Sequence, residues 1–257
     1  MLITDTLLRN LASIAVDAGK AILEVYHSGE RIHVSVKEDH TPLTIADKQS
    51  HDIIAKGLHT IDAAIPVLSE EGAAVPFEVR KSWEYFWCVD PLDGTKEFIH
   101  HRDEFTVNIA LIHYDKPVLG VIYAPVFETL YYGADGMGSL RQKNGGIAEH
   151  LFADKKATAW TAIGSRSHAS LEEEEVLKSF PVVKSIAAGS SLKFCRIAEG
   201  AAHIYYRHGP TMEWDTAAGQ AIAVNSGAMM TAVDGSPFLY NKPSLRNSGF
   251  ICRVSDS

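Results

Sequence analysis

The sequence predicts a layered α/β protein built from two halves that share one cleft. Apolar residues recur at helical spacing near the amino terminus, β-rich runs alternate with helical patterns later, and acidic residues stand where strands end and helices begin. Such ends collect at one edge of an α/β arrangement, where ligands bind. We therefore expect residues 1–155 and 156–257 to form two α/β halves of a single unit.

The composition is that of an ordinary globular protein. The chain has 257 residues, of which 46% are hydrophobic and 22% charged. A net charge of −8 argues against nucleic acid as the main partner, but not against a small anionic substrate, because bound cations can reverse the local field. Neither a signal peptide nor a transmembrane segment is indicated. Three widely spaced cysteines form no disulfide or zinc pattern, so we expect a reducing, cytoplasmic setting.

The first half is predicted to open with two helices. Apolar residues at helical spacing predict a helix over residues 4–27, with Gly29 as its stop signal. A second helix should run from Thr44 to about Leu58. Short apolar or β-rich runs predict the strands that follow: 64–68, 83–89, and an antiparallel meander of 105–113, 118–124 and 129–132.

The second half alternates between strands and helices. Ser170 and Glu173 form a possible capping box, and the acidic run at 172–175 is interpreted as a favourable first helical turn. The predicted strands are 158–163, 182–187 and 202–206, and the predicted helices are 170–180, 190–199 and 215–225.

The segment Asp90–Thr95, with the sequence D-P-L-D-G-T, is the most informative motif. Its two carboxylates follow an apolar strand, where unpaired acids need a cation. Oxygen ligands without histidine or cysteine favour magnesium, and Pro91 stiffens the turn so that the Leu92 carbonyl is a further candidate ligand. The alternative is an ordinary Asp-Gly turn with solvated acids.

Further acids complete a candidate metal site. Glu70, Asp90, Asp93 and Asp215 would bring four negative charges together, which two divalent cations balance. Two-metal sites of this kind suit in-line displacement at phosphorus. Gly94 and the amides that begin the Asp215 helix are candidates to bind phosphate oxygens.

Thr95 and Asp47 are candidates for activating a water molecule. Thr95 would orient the water, and Asp47 would accept its proton, although Asp47 equally suits a purely structural place at a helix start. Glu71 is either a supporting carboxylate or a solvated neighbour. Lys37 either approaches the phosphates or is solvated.

Three segments in order resemble the inositol monophosphatase superfamily of magnesium-dependent, lithium-sensitive phosphomonoesterases: Ser69–Glu71, Asp90–Thr95 and Trp214–Gly219. The longer segments Asp90–Phe98, Gly189–Cys195 and Tyr206–Thr211 are similar to the bacterial 3'(2'),5'-bisphosphate nucleotidases. The resemblance extends to about Phe250. Tyr206 is a departure, because a proline usually precedes the arginine there, and this leaves the direction of Arg207 open.

The resemblance implies a layered αβαβα sandwich that acts as a single catalytic unit, with a metal-binding half (1–155) and a substrate-binding half (156–257). It implies removal of the 3'-phosphate from adenosine 3',5'-bisphosphate, a reaction of sulfur metabolism that gives AMP, with two or three Mg²⁺ ions. The implied metal ligands are Glu70, Asp90, the Leu92 carbonyl, Asp93 and Asp215. The implied catalytic residues are Asp47, Thr95 and Glu70. The implied substrate-binding residues are Gly94, Thr95, Ser190, Ser191, Lys193, Arg207 and Asp215.

The residues also leave alternatives open. Ser190, Ser191 and Lys193 lie at a glycine-preceded helix start that suits a second phosphate, but Ser190 could equally be a helix cap and Lys193 a surface charge. Another phosphatase activity, on inositol phosphates or fructose 1,6-bisphosphate, and a non-catalytic magnesium or nucleotide sensor are the competing functions. Peripheral association with the inner membrane face, known for some bacterial relatives, finds no strongly basic helix here. The oligomeric state and the preference for a sulfated substrate stay open.

Overall fold

The computed structural model describes residues 3–28, 35–36, 42–165 and 171–255. Helices and strands are interspersed at the beginning of the first half, and its later strands follow one another as hairpins. In chain order they are α1 (Asp5–Tyr26), β1 (Ser35–Val36), β2 (Pro42–Leu43), α2 (Ile45–Ile61), β3 (Val67–Ser69), α3 (Phe77–Arg80), β4 (Tyr85–Asp93), α4 (Thr95–Ile99), β5 (Thr106–His113), β6 (Lys116–Ala124), β7 (Thr129–Ala134), β8 (Gly138–Lys143) and β9 (Glu149–Leu151).

The second half begins with alternating strands and helices and ends with two strands. In chain order its elements are β10 (Trp160–Gly164), α5 (Leu171–Leu177), β11 (Val182–Ala187), α6 (Leu192–Ala198), β12 (Ile204–Arg207), α7 (Glu213–Asn225), β13 (Ala228–Ala232) and β14 (Phe250–Val254).

A seven-stranded sheet runs in the order β3-β4-β5-β6-β7-β8-β9. Strands β3 and β4 are parallel, and each later pair is antiparallel, as expected for a meander joined by short turns. Helices α1 and α2 pack on one face, where the apolar stripe of α1 (Leu7, Leu11, Ala18 and Ile22) is buried. That face is the first hydrophobic core.

A five-stranded sheet runs in the order β11-β10-β12-β14-β13. The chain passes from β10 to β11 in one direction and from β11 to β12 in the other. Right-handed crossovers therefore place α5 and α6 on opposite faces of this sheet. Helix α6 packs against α7, and α7 contacts strands of both sheets. The layers are thus α1/α2, large sheet, α6/α7, small sheet and α5, which confirms the predicted αβαβα sandwich.

Two glycines let α7 lie very close to the large sheet. A Cβ added to Gly120 in β6 would lie 2.4 Å from the Ala218 carbonyl oxygen, and one added to Gly133 in β7 would lie 3.0 Å from the Ile222 Cα. Since both contacts are with helix backbone, a larger side chain would push the helix away. This close packing holds the first turn of α7 beside the end of β4.

The predicted helices are confirmed to within a few residues at each end, and the strand at 182–187 matches β11. Two strand predictions were wrong in extent. The strand predicted at 64–68 is β3, which covers only Val67–Ser69. Strand β4 does not stop at Val89 but continues to Asp93, with a register shift between Asp90 and Asp93. Pro91 lies at this irregularity. Proline has no backbone N–H to donate to the neighbouring strand, and a position where the strand pairing is interrupted tolerates that. Lys37, Gly29 and Ser170 lie outside the described residues.

Candidate active site

Three acids from three elements converge at one point. Glu70 follows β3, Asp90 lies in β4, and Asp215 lies in the first turn of α7; one carboxylate oxygen from each lies within 4.8 Å of the other two. The parallel pairing of β3 with β4 explains the first contact, because Ser69 pairs with Val89 and the Glu70 N–H donates to the Val89 carbonyl at 3.1 Å. The structure therefore brings together the acids that the motifs predicted separately.

These acids repel one another in a buried place. Burial raises the pKa of Asp90 well above its ordinary value, and the negative charges of Glu70, Asp93 and Asp215 raise it further. Burial likewise raises the pKa of Asp215, with the charge of Asp93 as the next cause. Uncompensated carboxylates are costly in such a site. A set of hard oxygen donors with this much negative charge fits a divalent cation.

Asp93 faces the second half of the chain. Its Oδ2 accepts the Ser191 N–H at 2.6 Å and an amide N–H of Asn108 at 3.2 Å. Burial raises its pKa to about 6, although the charge of Lys193 opposes this shift. The Ser191 hydroxyl donates to Asn108 Oδ1 at 2.7 Å and lies 2.8 Å from the Thr106 hydroxyl. Asn108 and Thr106 were not predicted as site residues.

The turn after Asp90 is fixed by local hydrogen bonds. The Leu92 N–H donates to Asp90 Oδ1 at 3.1 Å, and the Leu92 carbonyl accepts the Thr95 hydroxyl at 3.2 Å. From α2, the buried Ser50 hydroxyl donates to the Pro91 carbonyl at 2.7 Å. The Leu92 carbonyl thus lies beside the acids, where the sequence predicted a ligand.

Asp47 and Thr95 are in direct contact. Asp47 is buried at the start of α2, and its Oδ2 accepts the backbone N–H of Thr44 at 2.7 Å and the Thr44 hydroxyl at 2.5 Å. Its Oδ1 accepts the Thr95 hydroxyl at 3.2 Å. Asp47 therefore caps its helix and also contacts Thr95, and its part in activating water stays a prediction.

A cavity of about 160 Å³ opens beside the acids. Both halves of the chain line it. The predicted residues in its wall are Asp93, Gly94, Ser190, Lys193, Arg207 and Asp215, and the wall also includes Lys96, Glu97 and Tyr205, which were not predicted.

Two polar atoms near this cavity are buried without a hydrogen-bond partner in the described part of the chain. They are the hydroxyl oxygen of Ser190 and Nε of Arg207. Lys193 is 6% exposed, and its ammonium donates to the Ser190 carbonyl at 2.5 Å and the Ala188 carbonyl at 3.3 Å. Buried donors normally have partners, so this side of the cavity suits an anionic ligand.

Some predicted residues lie elsewhere. Ser191 is almost fully buried and contacts Asp93 and Asn108 instead of lining the cavity. Glu71 is partly buried next to Glu70. Glu173, in the acidic first turn of α5, is 7% exposed and accepts the His208 N–H at 3.1 Å. It therefore supports the segment that follows Arg207, a contact that local sequence signals could not reveal.

Within the residues that the structure describes, no helix is both long and apolar enough to span a membrane.

Comparison with known proteins agrees with this geometry. The Inositol monophosphatase family profile matches residues 4–251. The 3'(2'),5'-bisphosphate nucleotidase CysQ of Salmonella typhimurium is 44% identical over 245 residues, covering 95% of this chain and 98% of the relative. The enzyme of the same name from Escherichia coli is 44% identical over 250 residues, covering 97% and 99%.

A solved structure of CysQ from Bacteroides thetaiotaomicron, a bacterial member of the inositol monophosphatase family, is similar over the whole chain. The TM-score is 0.86 at 37% identity, and the match covers 100% of both chains. The chain is similar to these proteins in sequence and fold over its full length, and Glu70, Asp90 and Asp215 converge at one point. The chain belongs to the inositol monophosphatase family.

Proposed function

We propose that this enzyme removes the 3'-phosphate of adenosine 3',5'-bisphosphate and releases AMP and phosphate. The observation that carries the proposal is one cavity lined both by the acids Asp93 and Asp215 and by the cationic residues Lys193 and Arg207. Acids that hold cations are suited to binding the phosphate that is cleaved. Buried donors without a described partner are suited to binding a second phosphate. The names of the similar nucleotidases support the same substrate.

The donor set fits magnesium. Glu70, Asp90, Asp93, Asp215 and the Leu92 carbonyl offer only hard oxygen atoms, and burial makes their charge costly without a cation. We propose that they hold two or three Mg²⁺ ions. Bound there, the ions would supply Lewis-acid stabilisation and acidify the attacking water.

Asp47 and Thr95 would then move the proton. The Thr95 hydroxyl orients the water and passes its own proton toward Asp47 Oδ1, which it already contacts at 3.2 Å. Glu70, which lies close to Asp90 and Asp215, would accept a hydrogen bond from the same water. The water oxygen forms a new bond to phosphorus as the bond to the 3'-oxygen breaks. The nucleoside oxygen takes up a proton from solvent, and Asp47 releases to solvent the proton that it received.

We assign the substrate contacts to two groups of residues. The amides at Gly94 and Thr95 and the first turn of α7 at Asp215 would bind the phosphate that is cleaved. Ser190, Lys193 and Arg207 would bind the second phosphate, since Ser190 Oγ and Arg207 Nε are buried without a described partner. Ser191 would act through its N–H on Asp93.

The three cysteines are free and buried, which agrees with the cytoplasm as the place of this reaction.

Phosphate release from a panel of substrates tests the proposal. The panel contains adenosine 3',5'-bisphosphate, inositol 1-phosphate and fructose 1,6-bisphosphate, each with and without Mg²⁺ and with added Li⁺. We expect the highest kcat/KM for the nucleotide, dependence on Mg²⁺, and inhibition by Li⁺. A higher value for inositol 1-phosphate would transfer the assignment to an inositol phosphatase. Tight binding of the nucleotide without phosphate release would instead indicate a sensor.

A further inference from the structure

A segment of the first half, residues 94–104, touches a turn of the second half, residues 189–191, at the edge of the cavity. A Cβ added to Gly189 would lie 2.7 Å from the Glu104 carbonyl oxygen and 2.9 Å from Cγ of Glu97. Because the first of these atoms is backbone, only glycine allows this turn to approach Glu104 so closely.

Two carboxylates of the first half accept hydrogen bonds from backbone N–H groups of this turn. Glu104 Oε2 accepts the Gly189 N–H at 2.9 Å, and Asp93 Oδ2 accepts the Ser191 N–H at 2.6 Å. Ser190 lies between these two anchored amides. Two acids of the other half of the chain therefore hold this turn in place by its backbone N–H groups.

Ser190 itself has a strained backbone. Its φ of +47° lies in the left-handed region, which residues other than glycine rarely adopt. Such a conformation persists when its surroundings fix it, and here the flanking amides are both bound. This conformation directs the Ser190 carbonyl to the ammonium of Lys193 at 2.5 Å. The hydrogen bond that holds Gly189 therefore influences the positions of Ser190 and Lys193, two of the residues assigned to the second phosphate.

We propose that Glu104 is a positioning residue for the second-phosphate subsite: its carboxylate binds the Gly189 amide and thereby fixes Ser190 and Lys193. Glu104 does not contact the substrate in this scheme. The inference rests on the proposed nucleotidase function, since it presumes that the second phosphate binds at Ser190, Lys193 and Arg207.

The test compares two substrates that differ only in the second phosphate, adenosine 3',5'-bisphosphate and adenosine 3'-phosphate. The variants are Glu104→Ala, which removes the acceptor, Glu104→Asp, which shortens its reach, and Glu104→Gln, which keeps an acceptor oxygen without the charge. The control is Glu24→Ala, on the exposed surface of α1. Thermal unfolding of each variant establishes that it is folded, and Glu104→Asp and Glu104→Gln keep the test decisive if Glu104→Ala does not fold.

We expect Glu104→Ala and Glu104→Asp to lower the ratio of kcat/KM for the bisphosphate over the monophosphate by at least about tenfold, the effect of losing a hydrogen bond to a charged group. The loss should appear mainly in KM. Glu104→Gln should stay within about threefold of the wild type, because its oxygen can still accept the Gly189 N–H.

Three results would overturn the inference. The first is an unchanged ratio in folded Glu104→Ala, which shows that this carboxylate does not position the subsite. The second is an equal loss for both substrates, which indicates a general structural role. The third is a ratio preserved in Glu104→Asp but lost in Glu104→Gln, which indicates that charge, not the hydrogen bond, matters. If the wild-type enzyme does not prefer the bisphosphate at all, the proposed function itself fails, and that result is recognisable before any variant is measured.

Discussion

The hydroxyl of Thr95 donates to Oδ1 of Asp47 across 3.2 Å, and Thr44 donates twice to the other oxygen of the same carboxylate. Asp47 lies in the first turn of α2, whereas Thr95 begins α4 at the end of the acid-bearing strand. The contact therefore links a helix start to the turn that carries two of the proposed metal ligands, Asp90 and Asp93. In the proposed reaction this link is the path by which the water proton leaves.

Thr95→Ala should lower kcat by about 100-fold to 10,000-fold, the range for losing acid–base assistance, with little change in the unfolding temperature. Thr95→Ser keeps a hydroxyl and should retain most of the activity. Steady-state kinetics with thermal unfolding checks both variants. If Thr95→Ala and Thr95→Ser are equally active, the hydroxyl takes no part in proton transfer.

Asp90→Asn should abolish cation-dependent activity, because it removes a charged oxygen ligand from the buried acid cluster. We expect kcat to fall at least about 1,000-fold, while the protein stays folded. The rise in unfolding temperature caused by Mg²⁺ should also shrink or vanish, since a cation that binds only the folded state stabilises it. Asp52→Asn changes an exposed acid on α2 and serves as the control. An unchanged response to Mg²⁺ in Asp90→Asn would remove Asp90 from the ligand set.

Binding of the bisphosphate should weaken at alkaline pH. Burial lowers the pKa of Lys193 below its ordinary value of 10.5, although the charge of Asp93 opposes this shift. Lys193 therefore loses its proton, and with it its charge, at a lower pH than a solvated lysine, so KM for the bisphosphate should begin to rise at a lower pH than a solvated lysine would cause. Lys193→Arg keeps its charge at alkaline pH, and its KM should change less with pH. Parallel KM profiles for both proteins would contradict a titrating role for Lys193.

Gly120→Ala should destabilise the protein, because the new Cβ would lie 2.4 Å from the Ala218 carbonyl oxygen of α7. The expected loss in the free energy of unfolding is about 1–3 kcal/mol, typical of overpacking. Activity should fall as well, since the displacement moves the first turn of α7 and its Asp215. Among the residues that the structure describes, none lies within 4 Å of a Cβ added to Gly164, so Gly164→Ala serves as the control in chemical denaturation. Equal stability of the two variants would show that α7 tolerates displacement from the large sheet.

Local sequence signals were sufficient for much of the fold. Periodic apolar residues located α1 and α2, and the β-rich runs located the meander, because burial of one face imposes a period on the sequence. The elements that were not predicted are the short helices α3 and α4 and the strands β1, β2, β8, β9, β13 and β14. In β8, for example, only Ser139 is buried, so its pattern is weak and its pairing with β7 and β9 depends on neighbours distant in sequence.

Some residues of the candidate site could be predicted from local sequence signals, and others could not. Acids at strand ends and helix starts, such as Glu70 and Asp215, carry a signal in the sequence itself. Asn108 and Glu173 do not, because each acts through a partner far along the chain, Asp93 for one and the His208 amide for the other. Ser191 illustrates the limit: its place in the motif was evident, but its hydroxyl donates to Asn108, 83 positions earlier in the chain, and only the folded structure reveals this contact.

The most direct test of the account is the kcat/KM of the purified enzyme for adenosine 3',5'-bisphosphate and for adenosine 3'-phosphate in saturating Mg²⁺, compared with that of Arg207→Met. Arg207 lines the cavity and has a buried Nε without a partner among the described residues. We predict a clear preference of the wild type for the bisphosphate, and a loss of at least about tenfold in that preference for Arg207→Met, as expected when a charged hydrogen bond is removed. Equal turnover of the two substrates by the wild type, or an unchanged preference in Arg207→Met, would contradict a second-phosphate subsite beside the acid cluster.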